Sequence, residues 1–168
     1  DYREILKQNK IFPDKKNIGA AVMNCNPFTN GHRFLIETAA GECDGLYVII
    51  VQEDLSLFPF KDRMMLVEEG TKDLRNVKLI ASSDYAVSRA TFPTYFLKDK
   101  CTASVAETQA ELDATLFANL FVPELSIKKR FVGTEPFCPI TAKYNEMMKK
   151  VLPPRGVEIV EIERLNDL

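Results

Sequence analysis

Residues 24–33 read Asn-Cys-Asn-Pro-Phe-Thr-Asn-Gly-His-Arg and bring hydroxyl, amide, imidazole and guanidinium groups together in one short turn. A turn of this kind running into a helix suits an anion, because the first N–H groups of a helix lack intrahelical partners and carry partial positive charge. Gly31 permits close approach of a ligand to the backbone. His32, the only histidine in the chain, falls in the first helical turn. The dipole there disfavours the imidazolium and an incoming polyphosphate favours it, but either form donates a hydrogen bond. The Thr29 hydroxyl, three residues earlier, would reach the same side of a bound phosphate. Thr29 and His32 also fit a plainer reading, as a helix N-cap and a surface helix residue. What favours phosphate is context: a buried-strand pattern before the turn and an amphipathic helix after it.

The elements that must position this turn follow from periodicity. Gly19 to Met23 is a short apolar run ended by turn residues, as in a strand covered on both faces. From Gly31, Phe34, Leu35, Thr38 and Ala39 recur at helical spacing until Gly41. Leu46 to Val51 predicts a second strand, and Lys61 to Leu74 a second helix through Met64, Met65 and Val67. Val77 to Ala81 predicts a third strand. A turn-rich stretch with Ser82-Ser83-Asp84-Tyr85 and Thr91-Phe92-Pro93 follows, then a helix over Val105 to Leu125. Arg130-Phe131-Val132 leads as a strand into Gly133-Thr134-Glu135-Pro136. Ile140 to Val151 reads as helix, and the alternation of Val157 to Ile162 as a final strand near a sheet edge.

Strands alternating with helices predict an α/β fold, an open, mainly parallel five-stranded sheet covered on both faces. With strand order 3-2-1-4-5 the order reverses between the first and fourth strands. That reversal, where ligands lie in such sheets, puts Thr29 to His32 and Gly133 to Pro136 on two sides of one crevice. Residues 1–17 read as a short helix and then a linker, trailing from an absent preceding domain. Residues 18–168 form one domain, as expected of a 168-residue chain at roughly 150 residues per domain.

Composition limits the partners. The chain carries 22 Lys and Arg against 24 Asp and Glu. No broad basic field therefore argues for nucleic acid or an anionic membrane. An anion must be held locally. Cys25, Cys43, Cys101 and Cys138 are widely spaced with no C-x-x-C pair, so a zinc site is not expected. No secretory leader pattern or long apolar span is present, which reads as a cytoplasmic setting with free thiols.

The runs GAAVMNCNPFTNGHRFLIETAA, VQEDLSLFPFKDRMMLVEEGTKDL, SSDYAVSRATFPTYFLKD, RFVGTEPFCPITAKYN and LPPRGVEIVEI resemble the C-terminal domain of the citrate lyase ligases. T-x-G-H alone would mark only the wider nucleotidyltransferase superfamily; NPFTNGHR with SLFPFKDR and ATFPTYF is more specific. The resemblance implies a Rossmann-like nucleotidyltransferase fold in three α/β/α layers. It implies an enzyme that uses ATP and acetate to acetylate the prosthetic-group thiol of the citrate lyase acyl carrier subunit, releasing AMP and pyrophosphate through acetyl-adenylate. Such work is alignment and charge stabilisation.

Carried over by motif, Thr29 and His32 would contact the triphosphate. Met23, Asn24, Asn26, Pro27 and Phe28 would shape the nucleotide turn, and Gly31 would open it. Arg33 is a further nucleotide candidate or a solvated helix residue. Gly133, Thr134, Glu135 and Pro136 resemble the stretch beside the nucleotide. Lys61 and Arg63, at the start of the second helix, would reach phosphate or be solvated. Thr91, Phe92, Pro93 and Tyr95 would wall the pocket or belong to the core. Magnesium is expected to accompany ATP, with no protein-built metal cage.

The family's I-S-x-S-x-V-R motif beyond the last strand does not precede the end at Asn166-Asp167-Leu168, which reads as a fragment. Two other readings stay open: a nucleotide-binding module without catalysis, and another nucleotidyltransferase acting on a small phosphorylated substrate.

Overall fold

The computed structural model describes residues 1–52, 57–83, 85, 103–134 and 139–165. Five parallel strands, β1 (Ile18–Met23), β2 (Gly45–Ile50), β3 (Val77–Ala81), β4 (Lys129–Gly133) and β5 (Glu158–Ile162), form one sheet in the order β3-β2-β1-β4-β5. This is the order that the crevice argument requires. β1 and β2 carry no charged residue, and every residue of β2 is buried. Such strands are stable only with helices on both faces.

Period-two alternation sorts the core into two layers. Ala20, Tyr47 and Ile49 face a layer that includes Leu6, Ala114, Phe121 and Met148. Ala21, Val48 and Ile50 face another that includes Ile36, Ala39 and Val67. The first layer is supplied by α1 (Tyr2–Asn9), α4 (Ala103–Leu116) and α6 (Pro139–Val151). The second comes from α2 (Asn30–Gly41) and α3 (Phe60–Thr71). The result is the three-layer α/β/α arrangement expected from the sequence.

Two departures have physical causes. The helix expected within residues 1–17 is present as α1, and it is docked on the domain. Tyr2 and Leu6, one helical turn apart, are buried, and the Tyr2 hydroxyl donates to the carbonyl of Ala81 at 2.6 Å. Beyond α1, the Tyr47 hydroxyl accepts from the backbone N–H groups of Ile11 and Phe12.

The helix expected over Val105 to Leu125 is likewise present but changes pitch. Phe117–Phe121 form a π-helical turn before the short α5 (Val122–Leu125). Pro123 explains this. Its ring would strike the carbonyl four residues back in a regular α-helix, and a widened turn relieves the clash. Among the described residues no helix is long and apolar enough to cross a membrane.

Candidate active site

The polar turn after β1 lies at the carboxyl end of the central strand, where sheet order reverses. Thr29 is the N-cap of α2, with extended backbone, and its Oγ1 accepts from the His32 N–H at 3.4 Å. His32 answers: its Nδ1 accepts from the Thr29 N–H at 3.0 Å and also lies 3.0 Å from Thr29 Oγ1. The pair forms a capping box in which histidine takes the place usually held by Glu or Gln. An accepting Nδ1 puts the proton of neutral imidazole on Nε2, leaving that nitrogen as the donor. Thr29 is thus the N-cap of the plainer reading, and His32 is its capping-box partner.

The turn itself is held from behind. Cys25 adopts a left-handed backbone at φ 52°, and burial pushes its thiol up to about 12. The Asn26 side-chain oxygen accepts from the Phe58 N–H at 2.9 Å. The Phe28 ring stacks on the His32 ring with centroids 6.0 Å apart.

Arg63 is placed differently from the sequence expectation. It is 0% exposed. Its guanidinium donates to the carbonyls of Phe58, Asn24 and Val51 and to the Asn24 side-chain oxygen, at 2.7 to 3.0 Å. It ties the ends of β1 and β2 together instead of reaching the cleft. Arg33 also turns away, bonding both Asp73 oxygens at 2.6 and 2.9 Å and the Gly70 carbonyl at 2.8 Å. The same contact holds the Asp73 carboxyl below its usual range. Lys61 is exposed and lies off the cleft wall.

The cleft has a volume of about 470 Å³. Met23, Asn24, Thr29, Gly31 and His32 line one side, and Gly133 and Arg164 the other. Asn26, Pro27 and Phe28 are not part of this lining, though Phe28 packs on His32 and Asn26 is bonded to Phe58. Gly133 allows tight packing here: a Cβ on it would sit 2.8 Å from Arg164 Nε. Its carbonyl accepts from Asn145 Nδ2 at 3.0 Å. Thr134 is adjacent to the lining, and its hydroxyl oxygen accepts from the Arg164 N–H at 3.3 Å. Glu135, Pro136, Thr91, Phe92, Pro93 and Tyr95 lie outside the described residues.

Sequence reasoning missed the deeper wall, made by Asp113, Arg130, Tyr144, Asn145 and Met148 from α4, β4 and α6. One signal was available. Arg130 is a cation inside a strand of a sheet covered on both faces, a position that needs a reason. Burial pushes its guanidinium down to about 10, against the opposing influence of Asp113.

The family profile described as the citrate lyase ligase C-terminal domain matches residues 18–168. The chain is 47% identical over 171 aligned residues to the citrate (pro-3S)-lyase ligase of Escherichia coli, covering 98% of this chain and 47% of that protein. It is 48% identical over 139 residues to the enzyme of the same name from Haemophilus influenzae, covering 83% of this chain and 41% of that one. The chain thus spans about half the length of the curated relatives it matches. Pantothenate synthetase from Thermus thermophilus superimposes with a TM-score of 0.62 at 14% identity, over 98% of this chain and 61% of that one. An NadR protein in complex with NAD and AMP-PNP gives a TM-score of 0.55 at 16% identity, over 88% and 38%. These similarities identify the Rossmann-like nucleotidyltransferase fold.

Proposed function

The chain belongs to the citrate lyase ligase C-terminal domain family, and from that premise we propose that its cleft forms acetyl-adenylate from ATP and acetate. The acetyl group then passes to the prosthetic-group thiol of the citrate lyase acyl carrier subunit. An acetate oxygen attacks the α-phosphorus, the bond from that phosphorus to the bridging oxygen breaks, and pyrophosphate leaves. The thiol, deprotonated to solvent, then attacks the acyl carbon, the carbon–oxygen bond to AMP breaks, and the thioester forms. The setting is a reducing cytoplasm, where such a thiol persists.

The observation that carries this reading is the tautomer fixed at His32. With Nδ1 occupied as acceptor from Thr29, the imidazole proton lies on Nε2 of a side chain that lines the cleft, where charge builds on the phosphoryl oxygens. The α2 N-terminus and Gly31 supply further backbone dipoles to the triphosphate. Magnesium, accompanying ATP, would neutralise part of the phosphate charge. Among the described residues no group of three His, Cys, Asp or Glu side chains could hold a metal ion.

Exchange of labelled pyrophosphate into ATP tests the first step. Exchange that requires acetate supports the ligase. ATP binding without exchange at any acetate concentration would leave a nucleotide-binding module and end this reading.

A further inference from the structure

A guanidinium buried at the floor of a cleft, with donors left unpaired, calls for an anion that the protein itself does not provide. Arg130, the second residue of β4, is 4% exposed and lines the deep wall of the cleft whose rim carries Thr29 and His32. Its Nε and Nη1 have no hydrogen-bond partner. The Phe117 ring lies 4.5 Å below the guanidinium carbon. That contact supports the flat face of the group and leaves Nε and Nη1, two of its N–H donors, without an acceptor. Asp113, itself buried, offsets the charge electrostatically without filling those donors. Although burial lowers its proton affinity, Arg130 stays charged at neutral pH. A buried charge is costly unless it is paired and hydrogen-bonded.

We propose that Arg130 anchors the carboxylate of a small monocarboxylic acid at the cleft floor and so positions the acid for attack on the nucleotide held at the rim. A guanidinium presents planar, paired donors that match a carboxylate. Val132 and Met148, apolar and on the same wall, receive a short alkyl group. The floor is thus built for one negative charge and few carbons, whereas polyphosphate belongs to the helix N-terminus at the mouth. This assignment rests on the acyl-adenylate reading above and supplies the residue that selects its acid.

The test uses the intact protein with an ATP analogue that cannot be cleaved between the α- and β-phosphates. Acetate binding is followed by saturation transfer to its methyl protons, and analogue binding by calorimetry. Arg130→Gln should weaken acetate binding roughly 10- to 100-fold with analogue affinity within about twofold of the parent, and Arg130→Lys should fall between. If Arg130→Gln fails to fold, the pair Arg130→Met with Asp113→Asn, which removes both buried charges together, is read in its place.

Unchanged acetate binding in the folded variant overturns the proposal, as does loss of analogue affinity in step with acetate or failure of the parent protein to bind acetate. Acetate binding that depends on Arg130, without acetate-dependent exchange, retires the ligase reading and keeps this subsite. Exchange whose acetate KM ignores Arg130→Gln retires the subsite and keeps the ligase.

Discussion

The guanidinium of Arg63 grips Asn24 by both of its oxygens, the backbone carbonyl at 2.7 Å and the side-chain carbonyl at 2.9 Å. Asn24 is the first residue past β1 and lines the cleft, so the fully buried arginine sets the height of the turn after β1 above the sheet. With Val51 and Phe58 bonded by the same group, one side chain joins β1, the exit of β2 and the entry to α3.

Arg63→Met should therefore destabilise the fold by about 3 kcal/mol or more, since several buried acceptors lose their donor at once. Arg63→Lys, which cannot serve them all in one plane, should recover only part. Denaturant titration measures both. A stable Arg63→Lys protein with ATP affinity reduced tenfold would point instead to direct phosphate contact.

His32→Ala removes the cap bond and the outward donor together. It should cost about 1 kcal/mol of stability and lower turnover by about 100-fold or more. His32→Gln restores the usual capping-box partner, so the thermal midpoint should return while turnover does not. ATP affinity by calorimetry that is unchanged in His32→Ala would remove the phosphate turn from the site.

Gly70→Ala sets two effects against each other. A Cβ on Gly70 would stand 2.2 Å from Phe28 Cε1, an overlap worth about 1 to 3 kcal/mol if the ring cannot yield. Alanine gains about 1 kcal/mol over glycine within a helix. The net change should be a loss no larger than about 2 kcal/mol, with the displaced Phe28 ring disturbing His32 and weakening ATP binding. Trimming the ring with Phe28→Leu in the Gly70→Ala background should restore part of the stability; strict additivity of the two changes would show that they do not meet.

Cys25 and Cys43 should resist alkylation in the folded protein. Burial raises their thiols to about 12 and about 11, and a raised thiol means less thiolate at any pH below that value. At pH 8 the thiolate fraction of Cys25 falls about 10³-fold below that of a thiol with pKa near 9. Peptide mapping after iodoacetamide, with and without denaturant, reads each site separately. Rapid native labelling of Cys25 would contradict the buried environment.

The strand and helix pattern was legible because both periodicities are local. The unbroken apolar run of Leu46 to Val51 announces a doubly covered strand, and the turn at Thr29 to His32 announces a helix start. Element ends shifted by one to three residues, where caps rather than periodicity decide. The π-helical turn at Phe117–Phe121 was less legible, because it depends on how one proline is accommodated in a helix of otherwise regular pattern.

The chain's sequence by itself determined an α/β domain of this family, the order of its elements and the rim of its cleft, because those rest on neighbours in sequence. Only the tertiary structure decided which cations line the cleft. Arg63, Arg33 and Lys61 look alike as positive residues near helix starts. Folding buries the first on backbone carbonyls, pairs the second with Asp73 and leaves the third on an exposed surface. Arg130, marked in sequence only as a cation inside a buried strand, becomes the charged floor of the cleft, since its reach to Asp113 and the α6 wall depends on segments that meet only when the sheet is assembled.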